Sequence, residues 1–281
     1  MSATDQPAGA ATARAAFAAA IAARIDGARA QLRREYADSA PVPHFVVDDL
    51  LAPDLLHRVA AAFPPAETLL PKVSLRERKR VGVAIDRYDP VIGDLLLAFQ
   101  APAVVAAIGA VTGRQDLEPD PTLYASGISV MGRGDFLNPH LDNSHDGDQR
   151  RYRALNLLLY VTPDWDPSWG GNLELWDRAL RAPVTLPARF GRLVVMATGP
   201  DSWHSVSRVR GDRPRLCLSN YYFAQSAGGA RPYRHVTTFA GRPEQPVRRA
   251  VLAVDGLLRN ALGRALPQLL RRGPHRRKAA E

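Results

Sequence analysis

The second half of the chain consists of short apolar runs interrupted by turn-forming residues, and this texture constrains the fold more than any other feature. From residue 122 onward the pattern predicts strands with no helical periodicity between them. The predicted strands cover residues 124–131, 154–161, 172–176, 193–197 and 215–223. Gly, Pro, Asn and Asp cluster in the segments between them, as at 132–135 and 163–171. Short strands with tight turns are typical of a sandwich or barrel, and we predict a double-sheet jelly roll over about 121–225.

Three segments follow one another along the chain. Residues 1–40 are rich in Ala and Arg, and this composition predicts a disordered start followed by a helix over 12–36. Residues 41–225 predict the main domain, in which a short strand and helices precede the jelly roll. Residues 226–281 form a basic tail, in which apolar residues at near-helical spacing predict an amphipathic helix over 247–272. The expected fold class is therefore mainly β with flanking helices.

The positive charge of the chain is confined to this tail. The formal net charge is +9, and residues 226–281 account for the whole of that excess. Two interpretations of the tail helix stay open. It docks on the barrel with its basic face in water, or it contacts a membrane surface or another anionic partner. A second charged run, residues 76–80, is interpreted as a solvated loop or as a patch that faces substrate.

Cysteine usage and the N-terminus bear on the compartment. The single cysteine, Cys217, excludes an intramolecular disulfide and fits a reducing environment. No apolar run approaches the roughly 18–20 residues that a membrane span needs. The Ala-rich stretch at 17–23 is unlike a signal peptide, because Asp5 precedes it and no basic residue comes before Arg14. We therefore expect a cytoplasmic protein.

A short motif, His140-Leu141-Asp142, carries the first sign of chemistry. Residues two apart on a strand point to the same side, so His140 and Asp142 can face one point. One further imidazole would complete two histidines and one carboxylate, the open-sided triad typical of non-haem Fe(II) sites. His204, at the start of another apolar strand, is the candidate, and we predict a metal site of His140, Asp142 and His204. His145, in the polar turn after the motif, is an alternative ligand.

Polar side chains on two other predicted strands indicate a binding cavity. Alternation places Asn156 and Tyr160 on one face of their strand, and Arg215 and Tyr221 on one face of the last strand. An arginine inside a barrel is costly unless it is paired with an anion, and its planar fork fits a carboxylate. A metal at the mouth and an arginine deeper in the barrel suit a ligand with chelating oxygens and a distal carboxylate, such as 2-oxoglutarate.

These motifs together resemble the 2-oxoglutarate/Fe(II)-dependent dioxygenases, most closely their prolyl-4-hydroxylase-like branch. The matching stretches are FLNPHLDN at 136–143, LLLYVTPDW at 157–165, GGNLELWD at 170–177, WHSV at 203–206 and GDRPRLCLSNYYF at 211–223. The resemblance implies a double-stranded β-helix core, which is a cupin-like jelly roll. It also implies Fe(II), 2-oxoglutarate and O2 as the reactants, with ascorbate as an optional reductant.

The resemblance assigns roles to individual residues. His140, Asp142 and His204 would bind Fe(II), Arg215 would pair with the distal carboxylate of 2-oxoglutarate, and Tyr160 would donate a hydrogen bond to the same carboxylate. Asn156 and Tyr221 complete the predicted cosubstrate site, and Arg213 is the alternative to Arg215. Some relatives have a tyrosine that reaches the cosubstrate where this chain has Val130 and Met131, so that contact is not expected here.

The implied reaction is hydroxylation of an unactivated C–H bond with release of succinate and CO2. The substrate stays open between a prolyl or other residue of a protein and a small molecule or glycan intermediate. One alternative is a non-catalytic metal-binding barrel that its basic tail recruits to an anionic partner. Another is a nucleic-acid demethylase, which the tail's charge favours, but the neutral body carries no aromatic–basic interleaving that would indicate nucleic-acid binding.

Overall fold

In the computed structural model, which describes residues 8–124, 126–228 and 231–265, the strands join into one antiparallel sheet. The strands are β1 His44–Val47, β2 Leu70–Val73, β3 Glu77–Gly82, β4 Leu117–Glu118, β5 Gly127–Met131, β6 Phe136–Leu141, β7 Tyr152–Tyr160, β8 Leu173–Trp176, β9 Pro183–Leu186, β10 Leu193–Ala197, β11 His204–Val206, β12 Arg215–Ala224 and β13 Thr238–Phe239. The helices are α1 Ala8–Gly27, α2 Arg29–Asp38, α3 Pro53–Ala61, α4 Pro90–Ala98, α5 Pro102–Thr112 and α6 Pro246–Ala265. The predicted fold class, mainly β with flanking helices, is confirmed.

The order of the strands brings distant parts of the sequence together. Along the sheet they run β1-β10-β7-β12-β5-β3-β6-β11-β8-β9. The neighbours β7 and β12 therefore form the middle of one half, and β6 and β11 form the middle of the other. Strand β3 joins the halves, because it pairs with both β5 and β6. The strands that carry the predicted metal ligands and the predicted arginine thus belong to opposite halves of one curled sheet.

The N-terminal helices share the main core with the sheet. A helix was predicted over 12–36, and the structure has two, α1 and α2, with Gly27 ending the first. Glycine loses more backbone freedom in a helix than any other residue, which makes it a favourable place for a break. Ile21, Ile25 and Leu32 are buried in the same cluster as Leu95 of α4 and Val104 of α5. Both helices therefore pack as part of the fold through residues 17–32, while residues 1–7 lie outside the described range.

The charged run at 76–80 lies mostly in a strand and not in a loop. Alternation along β3 turns Glu77 and Lys79 towards a cavity, and it turns Arg78 away, to an ion pair with Asp135 at 3.0 Å. Lys79 and Glu77 form an ion pair at 3.0 Å along the same face. The prediction of a loop was wrong because hydrophobic periodicity cannot indicate a strand whose two faces are both partly polar.

The chain after β12 returns across the barrel, and we call residues 231–245 the strap. Its strand β13 pairs with β6, with Phe239 opposite His140. Arg242 of the strap is buried and donates to Glu174 of β8 at 2.5 Å. The strap leads into α6, where Leu252 is buried and Arg248 lies over the ring of Phe136 at 5.3 Å. The described part of α6 is therefore docked on the barrel, and the rest of the helix predicted over 247–272 lies beyond residue 265.

The ion pair between Arg242 and Glu174 gives a testable measure of how the strap is held. Their side chains are 11% and 10% exposed. Removing one partner of a buried ion pair leaves the other charge buried without a counterion, which costs about 3–5 kcal/mol. We expect Arg242→Ala to lower the free energy of unfolding by about 3 kcal/mol, measured by urea denaturation. The exposed Arg181, paired with Asp177, is the control, and Arg181→Ala should change this free energy by less than about 1 kcal/mol.

No single helix among the described residues is long and apolar enough to cross a membrane. Helices α4 and α5 pass the same test of length and composition only as a pair, and they are bent by 47° at the break between them.

Candidate active site

Strands β6 and β11 position the three predicted metal ligands. His140 lies near the end of β6, Asp142 directly follows that strand, and His204 begins β11, opposite His140 in the antiparallel register. The two imidazole centroids are 4.1 Å apart, and Asp142 lies 3.7 Å from Nε2 of His140 and 3.8 Å from Nε2 of His204. One ligand atom from each residue falls within 4.8 Å of the others. The structure thus brings together the three residues that the sequence predicted.

Both imidazoles are oriented by their second nitrogen. Nδ1 of His140 donates to the carbonyl oxygen of Asn138 at 3.1 Å, and Nδ1 of His204 donates to that of Ser202 at 2.9 Å. With the proton on Nδ1, the lone pair of Nε2 in each ring faces Asp142. A metal-binding histidine is normally held in this way, because the outer hydrogen bond fixes the tautomer and the ring orientation.

The electrostatics keep His140 and Asp142 in the protonation states that binding of a cation needs. Burial and the neighbouring His204 lower the pKa of His140 to about 3. Burial alone would raise the pKa of Asp142, but the charges of Arg153, His204 and His140 outweigh it and hold the value at about 2. Oδ2 of Asp142 is buried without a hydrogen-bond partner. A buried carboxylate oxygen that accepts no hydrogen bond and lies beside two imidazole lone pairs fits a divalent cation.

The three ligands lie in the wall of a cavity of about 290 Å³ between the two halves of the sheet. The face of β12 that was predicted to point inward does so, and Arg215, Cys217, Ser219 and Tyr221 all line this cavity. Asn156 of β7 lines it as well, and its Oδ1 is buried without a partner. The prediction that these strands present polar side chains to a shared interior therefore agrees with the geometry.

Arg215 is a buried cation that no carboxylate neutralises within the described residues. It is 3% exposed, its Nε has no hydrogen-bond partner, and its Nη1 lies 3.7 Å from Sδ of Met131. The guanidinium lies 4.8 Å from the ring centroid of Tyr160. A buried charge without a counterion is costly, so the site is complementary to an anion that enters the cavity.

The structure distinguishes between the two candidate arginines. Arg213 is exposed and lies 3.4 Å from Asp164 at the surface, whereas Arg215 projects into the cavity. Tyr160 does not line the cavity itself, but its buried hydroxyl has no partner and it contacts the guanidinium of Arg215. The role predicted for Tyr160, donation to the same anion as Arg215, stays a prediction.

His145 is not part of the cluster. Its Nδ1 lies 2.7 Å from Oγ of Ser144, and its ring packs on Tyr152 with centroids 4.3 Å apart. These contacts occupy the imidazole within its own turn. The alternative of His145 as a ligand is therefore not supported by the geometry.

Three further residues belong to the site. The sequence left Arg153 open as a residue that lines the substrate pocket, it left Lys79 open within the run at 76–80 as part of a patch that faces substrate, and it did not predict Phe239. Arg153 lies 3.4 Å from Oδ2 of Asp142 and stacks over the ring of Tyr221 at 4.1 Å. Lys79 lines the cavity beside Glu77. Phe239 stacks on His140 with centroids 5.2 Å apart and planes at 18°. A period-two count along 77–82 would have placed Lys79 on one face with Glu77, but no local signal connects Phe239 to a motif a hundred residues earlier.

Phe239 gives a prediction about the metal site that is separate from the ligands themselves. Its ring is 7% exposed and lies flat against the imidazole of His140. We expect Phe239→Ala to weaken metal binding about 10-fold, because residues that orient a ligand cost about 10–100-fold when they are removed. Anaerobic titration with Co(II), followed by its visible bands, measures this effect. Phe239→Leu, which keeps most of the packing, should retain most of the affinity, and equal losses in both variants would contradict a role for the stacked ring.

Comparisons with known proteins agree with this geometry. The model of the 2OG-Fe(II) oxygenase superfamily matches residues 126–223. A prolyl 3-hydroxylase, OGFOD1 of Xenopus laevis, is 34% identical over 84 residues, which are 28% of this chain and 16% of that protein. The mouse protein of the same name is 31% identical over 88 residues, 29% of this chain and again 16% of the relative. The match therefore spans about a sixth of the length of these curated relatives.

Solved structures show the same fold. A prolyl-4-hydroxylase of Pseudomonas putida superposes with a TM-score of 0.52 and 24% identity, covering 69% of this chain and 100% of that one. A prolyl 4-hydroxylase of Phytophthora capsici superposes with a TM-score of 0.52 and 17% identity, covering 89% of this chain and 78% of that one. At these identities the likeness concerns the fold, and it confirms the predicted jelly-roll core. Residues 126–223 of this chain are thus similar to the 2OG-Fe(II) oxygenase superfamily in both sequence and fold.

Proposed function

We propose that this protein is a 2-oxoglutarate- and Fe(II)-dependent dioxygenase that hydroxylates an unactivated C–H bond. One observation carries the proposal. The cluster of His140, Asp142 and His204 lines the same cavity as the buried Arg215, which has no carboxylate partner among the described residues. The first group is complementary to a divalent cation, and the second is complementary to an anionic group deeper in the barrel.

Different residues of the cavity would bind the metal and 2-oxoglutarate. Nε2 of His140, Nε2 of His204 and the carboxylate of Asp142 would hold the metal and leave the cavity side of the ion open. Arg215 would bind the distal carboxylate of 2-oxoglutarate with its planar fork. Asn156 and Tyr221 offer polar groups in the same wall. Arg153, 3.4 Å from Asp142, would keep that carboxylate ionised and turned towards the ion.

The metal and 2-oxoglutarate, when bound, supply the oxidising chemistry, in which O2 gives one oxygen atom to succinate and the other to the hydroxylated product. The protein contributes position and the exclusion of water. Burial of His140, His204 and Arg215 means that a bound cosubstrate replaces water at both of its ends. The apolar residues Leu137, Leu158 and Leu173 line the same cavity and limit the solvent between them.

A prolyl residue of a polypeptide is the substrate that we propose. The support comes from the proteins to which this chain is similar. The curated relatives are named prolyl 3-hydroxylases, and the two superposed structures are named prolyl 4-hydroxylases. A small molecule or glycan intermediate is the competing substrate class. Ascorbate as an optional reductant and a cytoplasmic location stay predictions.

The experiment is 2-oxoglutarate turnover by purified protein with Fe(II) and O2, first alone and then with proline-containing peptide pools. We expect slow formation of succinate without a peptide, and faster formation with peptides that gain one oxygen atom by mass spectrometry. Succinate that does not respond to any peptide would leave the dioxygenase standing and reject the peptide substrate. No succinate from folded, metal-loaded protein would favour the non-catalytic metal-binding barrel.

A further inference from the structure

Two lysines lie opposite each other on the hairpin that β2 and β3 form. Lys72 of β2 is paired directly with Lys79 of β3 in the antiparallel register. Residues paired in this way point to the same side of the sheet, with their Cβ atoms about 4.5–5.5 Å apart. Both lysines line the cavity whose wall holds the three predicted metal ligands. Like charges directly opposite each other are destabilising, so the pair is complementary to an anion that binds between them.

One carboxylate on the same side of the hairpin compensates only part of this charge. Glu77 forms an ion pair with Lys79 at 3.0 Å, and it lines the cavity as well. Lys72 has no ion-pair partner among the residues that the structure describes. One positive charge of the lysine pair is therefore left without a counterion in this part of the wall.

The lysine pair lies nearer to solvent than the metal ligands do. The side chains of Lys79 and Glu77 are each 22% exposed, whereas those of His140 and His204 are 7% and 5% exposed. Lys79 is still close enough to the cluster to contribute to the low pKa of His140, whose largest causes are burial and His204. The hairpin thus forms an outer part of the cavity wall, where a bound substrate would extend from the metal towards solvent.

The charge of the cavity wall as a whole is positive. Its charged side chains are the basic Lys72, Lys79, Arg153 and Arg215 and the acidic Glu77 and Asp142. Fe(II) and the dianion of 2-oxoglutarate carry equal and opposite charges, so binding of both leaves this excess of basic groups unchanged. A substrate that enters the loaded cavity therefore meets a positive electrostatic potential.

We propose that the substrate is a peptide with an acidic residue near the hydroxylated position, and that Lys72 and Lys79 bind its carboxylate. The inference rests on the proposed function, from which it takes the polypeptide substrate. A carboxylate between the two ammonium groups would relieve their repulsion. Because a lysine is a flexible point charge with three donors, it can follow a carboxylate at the cavity rim without a fixed geometry. Charge complementarity of this kind selects among peptides more than it adds affinity.

The test is binding of dye-labelled peptides, followed by fluorescence anisotropy in the absence of O2 so that no peptide is turned over. Three peptides share a central proline in a background of glycine and alanine. They carry two glutamates, two glutamines or two lysines at the same positions on either side of the proline. Each is titrated with the full-length protein, with and without Fe(II) and 2-oxoglutarate. In both states we expect the glutamate peptide to bind about 10-fold more tightly than the lysine peptide, with a preference that decreases as the salt concentration rises.

Variants of the hairpin assign the preference to the lysines. Lys72→Gln and Lys79→Gln should each weaken binding of the glutamate peptide about 5-fold, through the loss of one partly exposed ion pair. Lys72→Arg, which keeps the charge, should retain the binding, and Lys72→Glu should favour the lysine peptide instead. Arg80→Gln is the matched control and should bind like the wild type. Arg80 adjoins Lys79 on β3, but it lines a separate groove on the other side of the strand.

Two results would overturn the inference. One is equal or undetectable binding of the three peptides by the wild type. The other is a preference that Lys72→Glu leaves unchanged, or that Arg80→Gln abolishes as fully as Lys72→Gln does. Neither result bears on the oxygenase itself, whose failure would show as absent succinate formation whichever peptide is preferred. Circular dichroism of each variant confirms that the fold is retained.

Discussion

Replacing His204 with alanine is expected to abolish 2-oxoglutarate turnover and to weaken metal binding by more than about 100-fold. Loss of a partner that only orients a ligand already costs about 10–100-fold, and His204 supplies a ligand atom itself. Its Nε2 lies 3.8 Å from Asp142, so its removal leaves one imidazole and one carboxylate. Anaerobic equilibrium dialysis with Fe(II) measures the affinity, and succinate formation measures the turnover.

His145→Ala is the control for that experiment. His145 is also a buried histidine near the site, but its ring contacts Ser144 and Tyr152 and lies outside the ligand cluster. We expect this variant to bind Fe(II) with nearly wild-type affinity. If His145→Ala lost the metal and His204→Ala kept it, the assignment of the triad would be wrong.

The second large effect is expected at Arg215. Removal of its guanidinium should raise the concentration of 2-oxoglutarate needed for half-saturation by at least about 100-fold, since one partner of a buried charge pair is worth about 3–5 kcal/mol. Fe(II) affinity should stay close to that of the wild type, because Arg215 is not a ligand. Arg215→Lys should recover only part of the loss, because an ammonium group cannot form the paired hydrogen bonds of a planar fork.

Two readouts separate this role from a structural one. Arg213→Ala, two residues away at the surface, should leave the 2-oxoglutarate requirement unchanged. Without ligand, Arg215→Ala should not lower the free energy of unfolding, because the wild-type cation is buried with no carboxylate near it among the described residues. A strongly destabilised Arg215→Ala protein, or an Arg213→Ala protein that loses 2-oxoglutarate, would contradict the assignment.

Much of the candidate site could be predicted because side chains alternate between the two faces of a strand, so spacing in the sequence indicates which residues share a face. This period of two placed His140 with Asp142, and it placed Arg215 with Cys217 and Tyr221. In the structure the members of each set face the same cavity. Pairing of His204 with the motif could not come from spacing. It depends on β11 lying beside β6, which the order of strands in the sheet decides. The place of His204 at the start of an apolar strand made it a candidate, and the resemblance to the dioxygenases supported the pairing.

Residues outside these local patterns could not be assigned to the site from their spacing in the sequence. Phe239 reaches His140 only because β13 pairs with β6, and a two-residue strand leaves no periodic signal. Lys79 lies in a run of charges whose apolar content is too low to indicate a strand. One N-terminal helix was expected from composition. Its division into α1 and α2 and their burial against α4 and α5 could not be expected, since an Ala-rich sequence does not reveal which face is covered.

The central claim, that one cavity binds Fe(II) and 2-oxoglutarate together, is tested most directly by anaerobic titration of the wild-type protein with both. The chelate of the two has a weak visible charge-transfer band. The band should appear in the wild type, vanish in His204→Ala, and need far more 2-oxoglutarate in Arg215→Ala. A folded wild-type protein that binds Fe(II) but shows no band with 2-oxoglutarate would contradict the account and leave a metal-binding barrel without the cosubstrate.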